Sequence, residues 1–430
     1  MNKFSIYIKR RTQTGWLLFL IIMMPCFFGF LVDVFRFPNA IKYTLDAVWL
    51  CLLVYLIRFY RLLQWRKVKQ LLVWSLAFLG YTLLVYLFRF QSPLYYLWGA
   101  RNNFRFYVTF FAMALFMDTA DAEDYLKKFD VLFWLNLGIT LIQYFLLGYR
   151  GDYLGGLFGV EKGGNAYSNI FLIIVVSRSI LYCFQKQETL SACLAKCVVA
   201  LAIAAMAELK FFFIEFAVIV GLIFCMTNFS WRKLLILIAA VAGVLAGIAV
   251  LIKIYPEFHE AFLLKNLIAS ATSDLGYTMR GDFNRLTAIS SVNERFFDGI
   301  LDRLFGLGLG NCDTSSFSFL LTPFARRYAW TNYHWFSTSF MYVENGVVGM
   351  FFFIGFFVLQ FFQVQKLKRS GNANILHCKL AQVMAVCCVM LLVYNSSLRT
   401  EAAYMVYFVL AIPFMQRSDR RTIIGRNAHE

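Results

Sequence analysis

Charged residues are scarce in this chain of 430 residues: only 15% are Asp, Glu, Lys or Arg, whereas 60% are hydrophobic and 19% aromatic. This balance is too apolar for a soluble protein, and several apolar runs reach the roughly 20 residues that a bilayer-spanning helix needs. Acidic residues are scarcer than basic ones, 24 against 41, which leaves a net charge of +17. The composition therefore predicts an all-α, polytopic membrane protein.

Histidine and cysteine are too scattered for a metal centre or a disulfide framework. The four histidines and ten cysteines do not combine at metal-ligand spacing. Cys312 is the single cysteine of the longest polar segment, so no disulfide can form within that segment. We expect neither a metal nor a cofactor.

The sequence also lacks the features of a nucleic-acid or nucleotide binder. No basic soluble domain carries the net positive charge, so we expect no nucleic-acid partner. The glycine run Gly306–Gly310 has no surrounding strand–loop–helix unit and no Gly-Lys-Ser or Gly-Lys-Thr ending. A glycine-rich turn of this kind indicates a helix stop.

Hydropathy predicts about twelve transmembrane helices. They are residues 15–35, 43–60, 70–89, 104–118, 130–148, 166–184, 190–207, 211–228, 233–254, 336–362, 379–395 and 402–416. Most Lys and Arg residues then fall in loops on one side, which predicts a bacterial cytoplasmic-membrane protein with both termini cytoplasmic.

Three regions follow from this topology. Residues 1–254 hold the first nine helices with short loops, residues 255–335 form a large extracytoplasmic loop, and residues 336–430 hold three helices and a basic cytoplasmic tail. The large loop is predicted to be helical. Its opening, with apolar residues near helical spacing from Phe262 to Ile268, predicts an amphipathic helix on the membrane face.

Arg280, Arg285 and His334 are the candidate site residues of the large loop. The two arginines are five residues apart, or about 140° around an ideal helix, so at most one faces a site unless a helix begins at Gly281. Residues 291–304 are predicted to form a helix that stops at the glycine run. A histidine at a helix entrance is commonly a cap or surface residue, but among outward arginines His334 would supply a titratable base beside an anion clamp.

The shorter outer loops add three basic candidates, Arg150, Lys210 and Arg399. Arg150 opens a glycine-rich segment whose backbone amides could approach a ligand, although a plain connecting turn explains the glycines equally well. Lys210 lies in a strongly apolar setting, where a charge usually points into a cavity or pairs with another charge. Arg399 lies in the last outer turn and would close the site from the opposite side.

Three further charged residues lie within or beside apolar stretches. Arg101 and Arg105 follow an aromatic segment, and we expect them to be snorkelling anchors at the membrane interface. Glu215 lies inside a predicted helix, where a carboxylate is costly and indicates a cavity or a partner.

One series of motifs resembles a known family. In chain order it contains a glycine-rich outer loop ending at Asn165, Arg280, the Phe305–Gly310 turn, His334 and the Glu344–Gly349 segment. This order resembles the O-antigen polymerase and O-antigen ligase superfamily, most closely over about residues 276–350. The predicted twelve-helix layout with one large outer loop agrees with it.

The resemblance implies a metal-independent membrane glycosyltransferase. It would polymerise undecaprenyl-diphosphate-linked oligosaccharide repeats into a surface polysaccharide at the outer face of the membrane. The implied partners are that lipid-linked oligosaccharide and membrane lipids, with a flippase and a chain-length regulator as further candidates. A ligase that transfers the glycan to another acceptor is the alternative, and a polysaccharide-lipid flippase is a third, although the sequence lacks the related halves typical of transporters.

Residue by residue, the resemblance matches Arg280 to the family's loop arginine and His334 to its loop histidine. Where many relatives have Ser-Arg at a helix start, this chain has Leu209-Lys210, which supplies charge without the bidentate fork of arginine.

The chemistry gives these residue types a physical reason. Departure of the glycan from its carrier leaves negative charge on a diphosphate, which Arg or Lys donors stabilise in a water-poor cleft. The attacking hydroxyl must lose a proton, a role for His334 or, second, Glu344 or Glu215. Glu344 lies about 15 Å beyond His334 along a continuous helix, so we expect a structural role for it.

Overall fold

The structure, a computed structural model, describes residues 14–161, 163–227, 231–254, 278, 280–315 and 317–416. Within these residues every named element is helical, and the sole β-type pairing is an isolated bridge between Asp118 and Gln416. The all-α prediction is confirmed for this part of the chain. The predicted amphipathic helix at 262–268 and both chain termini lie outside the described residues.

Sixteen α-helices are described. They are α1 (Thr14–Cys26), α2 (Phe28–Asp33), α3 (Thr44–Phe59), α4 (Trp65–Arg89), α5 (Pro93–Phe116), α6 (Thr119–Leu141), α7 (Gly164–Phe184), α8 (Leu190–Met206), α9 (Lys210–Cys225), α10 (Trp231–Ile254), α11 (Ala288–Arg295), α12 (Ile300–Phe305), α13 (Pro323–Tyr328), α14 (Ser337–Arg369), α15 (Ile375–Tyr394) and α16 (Ala403–Ala411).

Six of the described helical segments are long and apolar enough to cross a membrane. They are Asn39–Leu62, Trp65–Arg89, Thr119–Leu146, Gly164–Phe184, Ser337–Arg369 and Ile375–Tyr394. Shorter apolar helices cover Thr14–Cys26, Leu190–Met206 and Ala403–Phe414. These helices identify a membrane protein, whereas the total of twelve spans and their orientation stay predictions.

Several predicted helix boundaries are wrong. Helices α5 and α6 begin at Pro93 and Thr119, each 11 residues before the predicted start. Hydropathy misses the start of α5 because Arg101, Asn102 and Asn103 interrupt its apolar run, and it misses the start of α6 because charged residues fill the first turns. Pro93 nevertheless suits a helix start, and Asp118 and Asp121 form a capping box at the start of α6. The first predicted helix instead divides into α1 and α2, with a 3₁₀ turn at Met24–Cys26.

The centre of the bundle is made by α5, α7, α14, α15 and α16. Phe106 of α5 stacks on Tyr407 of α16 with ring centroids 5.6 Å apart, and Tyr107 meets Phe356 of α14 edge-on at 4.7 Å. Such contacts matter here because close packing, rather than removal of apolar surface from water, holds helices together in lipid. By contrast α3 and α4 expose apolar side chains, as lipid-facing helices do.

The helix directions define two ends of the bundle. Helix α15 runs from His377, near its start, to Tyr394, and its 20 residues span roughly 30 Å. The end that carries the described residues 280–315 and 317–335, together with Arg399, is called the loop end. The other, called the opposite end, contains His377 and the place where Thr119 donates to the Gln416 carbonyl at 3.0 Å.

The described part of the large loop forms a small core of its own. Phe283, Phe296, Tyr333 and Phe340 belong to one buried cluster, and the Phe283 amide donates to the Thr331 carbonyl at 2.8 Å. The predicted single helix over 291–304 is wrong, since α11 ends before residues 296–299 and α12 begins after them. The break turns Phe296 and Phe297 into the loop core.

At the opposite end a buried ion-pair network joins α6, α7 and α8. Asp130 accepts from Arg178 and, at 2.8 Å, from Lys196, and Lys196 also lies 3.1 Å from Glu188. Arg178 and Lys196 are buried, so each needs this carboxylate partner.

We expect Asp130→Asn to lower the free energy of unfolding by about 2 kcal/mol, because two buried cations lose one shared carboxylate while Glu188 still supports Lys196. Thermal unfolding of the full chain in detergent measures the effect. Asp124→Asn is the matched control, since its carboxylate pairs with Lys128 at an exposed site. Equal losses in the two variants would contradict this prediction.

Candidate functional site

Helix α14 is broken at Gly346, where φ is +62° and ψ is −168°. The Val343 and Glu344 carbonyls just before the break accept hydrogen bonds from the Leu307 and Gly308 amides at 2.8 and 2.9 Å. The glycine run therefore supplies donors that the interrupted helix does not. This contact fixes the loop to the membrane bundle.

The glycine run has no room for side chains at its contact points. A Cβ at Gly306 would lie 2.4 Å from the Glu344 carbonyl carbon, and one at Gly310 would lie 1.9 Å from the Tyr95 carbonyl oxygen of α5. Both glycines also have positive φ, +72° and +80°, which other residues rarely adopt. The run is thus a packed wedge between α5 and α14.

We expect Gly310→Ala to cost at least about 3 kcal/mol of stability, through backbone strain and overlap with the Tyr95 carbonyl. Gly299→Ala is the control, since nothing lies within 4 Å of the added Cβ and φ there is −163°. Folded yield after size-exclusion chromatography and the unfolding temperature are the readouts. Similar values for the two variants would refute the packed wedge.

Two carboxylates lie against the wedge. Glu344 is fully buried, and its Oε1 accepts from the Gly310 and Cys312 amides at 2.9 and 3.4 Å. Its Oε2 has no hydrogen-bond partner within the described part of the chain. Asp313 is also buried and accepts from the Asn102 side chain of α5.

Asn102 is positioned by its neighbour Arg101, which forms a bidentate ion pair with Asp46. Arg101 donates to Asn102, and its guanidinium binds both carboxylate oxygens of Asp46 at 2.8 and 2.7 Å. The guanidinium also stacks over Trp98, 4.8 Å from the ring centroid. The predicted snorkelling role for Arg101 is therefore wrong, because this cation has an internal carboxylate partner.

Arg399 faces both acids from the turn between α15 and α16. The side chain is half-buried and lies over the Phe340 ring, 3.1 Å from its centroid. Its guanidinium makes no hydrogen bond or ion pair with another described residue. Burial lowers the pKa of Arg399, whereas its electrostatic attraction to Asp313 and Glu344 acts the other way.

A second set of contacts, from α5 and α7, holds the turn that contains Arg399. Arg105 of α5 is buried and donates to the Arg399 carbonyl at 3.3 Å and to Glu401 at 3.2 Å. The other oxygen of Glu401 accepts from the Tyr167 hydroxyl at 2.8 Å. Arg105 is thus an internal ion-pair partner, and the predicted snorkelling role is wrong for it too.

Its neighbours keep the Glu401 side chain in the ionised form. Burial would raise its pKa, but the attraction of Arg105 and the Tyr167 hydrogen bond outweigh burial and lower the pKa to about 2. A lowered folded-state pKa stabilises the fold above the ordinary pKa of Glu, and that stabilisation is lost as pH falls toward about 2.

Glu401→Gln should lower the free energy of unfolding by about 3 kcal/mol at neutral pH, because Arg105 loses its anionic partner. The deficit should shrink once pH falls below about 4, where the wild-type carboxylate begins to lose its own advantage. Unfolding of the full chain in detergent at both pH values tests this. A deficit that does not change with pH would argue against the ion pair.

His334 completes the site, in the 3₁₀ turn Tyr333–Trp335 just before α14. Burial and the nearby Arg399 charge lower its pKa to about 4, so the imidazole is neutral at neutral pH. Its Nδ1 has no hydrogen-bond partner among the described residues. Asp313, His334, Glu344 and Arg399 are together called the loop-end cluster, since the first three all interact electrostatically with Arg399.

The other predicted site residues have different surroundings. Arg280 is exposed in a turn, and neither it nor Arg285 lies on a helix. The Arg285 Nε donates to the Tyr394 carbonyl at 3.1 Å, and its guanidinium lies 5.0 Å from the Tyr394 ring centroid. Lys210 is half-buried at the start of α9, beside Phe211, which stacks on the same Tyr394 ring at 4.6 Å.

Arg150 is exposed and lies over the Tyr144 ring, 3.5 Å from its centroid, with its Nη1 donating to the Tyr144 carbonyl. The structure therefore places His334 within the electrostatic influence of Arg399, whereas Arg150 contacts Tyr144 on the preceding helical segment. Sequence reasoning missed Asp313 and the supporting pair Arg105 and Glu401. The available signal for that pair was position: Arg105 and Glu401 each lie beside the start of a predicted helix, at the outer face.

The opposite end has a polar site of its own. His377 Nε2 lies 2.6 Å from a Glu123 oxygen that also accepts from Tyr182. A cavity of about 420 Å³ opens beside them, lined by Glu123, Asp124, Lys127 and His377. No group of described side chains here or elsewhere has the composition and spacing to hold a metal ion.

The comparisons with known proteins add no family to this geometry. No protein-family model matches the chain, and no curated protein matches it.

Proposed function

We propose that this protein is a membrane glycosyltransferase that polymerises undecaprenyl-diphosphate-linked oligosaccharide repeats at the outer face of a bacterial cytoplasmic membrane. The observation that carries the proposal is the loop-end cluster. There a half-buried guanidinium without an ion-pair partner among the described residues lies close to a neutral imidazole.

Arg399 is the proposed diphosphate ligand. A guanidinium matches phosphate oxygens with two parallel donors, and such charge-assisted bonds strengthen where water is scarce. Its backbone is already held by Arg105, so little reorganisation is needed when an anion arrives. Exposed Arg280 would add charge from the loop side, and Arg285 and Lys210 would add it near Tyr394.

His334 is the proposed acceptor of the proton from the attacking sugar hydroxyl. A neutral imidazole has a free lone pair at neutral pH, which an imidazolium lacks. Its lowered pKa makes it a weak base, so its contribution is largest when a bound diphosphate offsets the Arg399 charge that helps lower that pKa. The lipid-linked donor and membrane lipids are the proposed partners.

The proposal is tested by glycan chain length in host cells that lack the protein and are complemented with variants. Arg399→Gln and His334→Gln should each reduce polymerisation at least about 100-fold at equal membrane abundance. Arg303→Gln is the matched control, because Arg303 is exposed on α12. It should restore wild-type chain length.

The length of the glycan found on the lipid carrier distinguishes a polymerase from a ligase. Single repeat units in the deletion strain support a polymerase, whereas full-length glycan retained on undecaprenyl diphosphate identifies a ligase. Normal chain length and attachment in both Arg399→Gln and His334→Gln would reject the site.

A further inference from the structure

Glu215 and Asn169 form an isolated polar pair inside the membrane bundle. Glu215 lies on α9 and Asn169 on α7, each five residues after the start of its helix, or about 7.5 Å in from the loop end. Both side chains are completely buried. They are separate from the loop-end cluster and its supporting ion pairs.

The two side chains share one hydrogen bond and leave two oxygens without partners. Asn169 Nδ2 donates to Glu215 Oε2 at 2.9 Å. Glu215 Oε1 and Asn169 Oδ1 have no hydrogen-bond partner among the described residues. Two acceptors without a donor are costly in so apolar a place, since each gives up its bonds to water.

The described surroundings offer no positive charge to balance a carboxylate. Neither a hydrogen bond nor an ion pair joins Glu215 to a cation within the described chain. On α15 the titratable neighbour is Cys387, and α10 approaches α9 where Gly247 meets Phe213. An ionised Glu215 would therefore be a buried charge without a counter-ion, which proteins avoid by taking up a proton.

We propose that Glu215 is a proton-binding site, occupied at neutral pH. The proton comes from water and bonds to Oε1, which then donates to Asn169 Oδ1. Together with the existing Nδ2–Oε2 bond this closes a ring of two hydrogen bonds between an acid and an amide. One proton satisfies both oxygens and removes the charge.

A protonated Glu215 has no basic role in the proposed glycan chemistry. A carboxyl that already carries its proton takes no proton from a sugar hydroxyl, so Glu215 is not the general base. The proposal does not depend on the transferase function, because protonation is set by the bundle interior alone.

Glutamine distinguishes a neutral acid from a carboxylate. Glu215→Gln keeps both ring hydrogen bonds, because its amide donates to Asn169 Oδ1 and its carbonyl accepts from Nδ2. Its unfolding temperature in detergent should lie within about 2 °C of wild type. Glu401→Gln is the matched comparison: the same chemical change at an ionised, Arg105-paired carboxylate should lower that temperature by several degrees.

Infrared spectroscopy provides a readout that stability alone does not. Wild-type protein at neutral pH should show the carbonyl stretch of a protonated carboxylic acid, and Glu215→Gln should lose that component while Glu401→Gln keeps it. Glu215→Ala and Asn169→Ala should both unfold at lower temperature, because each leaves a buried polar group without a partner.

The proposal is overturned if Glu215→Gln destabilises the protein as much as Glu401→Gln does. It is equally overturned if wild type and Glu215→Gln have the same protonated-acid absorbance at neutral pH. Either result would mean that Glu215 is ionised.

Discussion

The contact between the glycine run and the broken helix α14 is the constraint on which the loop end depends. A helix interrupted inside a membrane protein leaves backbone groups that lipid does not satisfy. The Leu307 and Gly308 amides satisfy the carbonyls before the break, and Gly310 allows contact with the Tyr95 backbone. The same wedge places the Gly310 amide on Glu344. Loop, membrane helices and cluster therefore form one unit.

Two side-chain relays support the cluster from α5. One runs from Asp46 through Arg101 and Asn102 to Asp313, and the other links Arg105 to the Glu401 carboxylate and the Arg399 backbone. Each relay pairs an arginine with an acid, because a lone charge at this depth is expensive. The result is an Arg399 whose backbone is held while its guanidinium stays available to an anion.

The roles expected of the site residues stay predictions, but their surroundings are now defined. His334 and Arg399 are far apart in sequence, and the Arg399 charge acts on the His334 imidazole. Arg105 was expected to snorkel because hydropathy shows where an arginine lies but not whether an acid faces it. Asp313 gave no signal, since a single aspartate after a glycine run is typical of a turn. The start of α6 was missed because its charged first turns resemble loop sequence, and the start of α5 was missed because Arg101, Asn102 and Asn103 separate its aromatic first turns from the apolar remainder.

The sequence by itself determined the class of the protein, because its apolar runs require helices in a membrane. Only the tertiary structure decided which charges pair. Hydrophobic length is a local property and survives in a linear reading, whereas the pairing of Arg105 with Glu401, or of Glu215 with Asn169, depends on how distant helices pack. In a low-dielectric interior that packing also decides which acids are ionised.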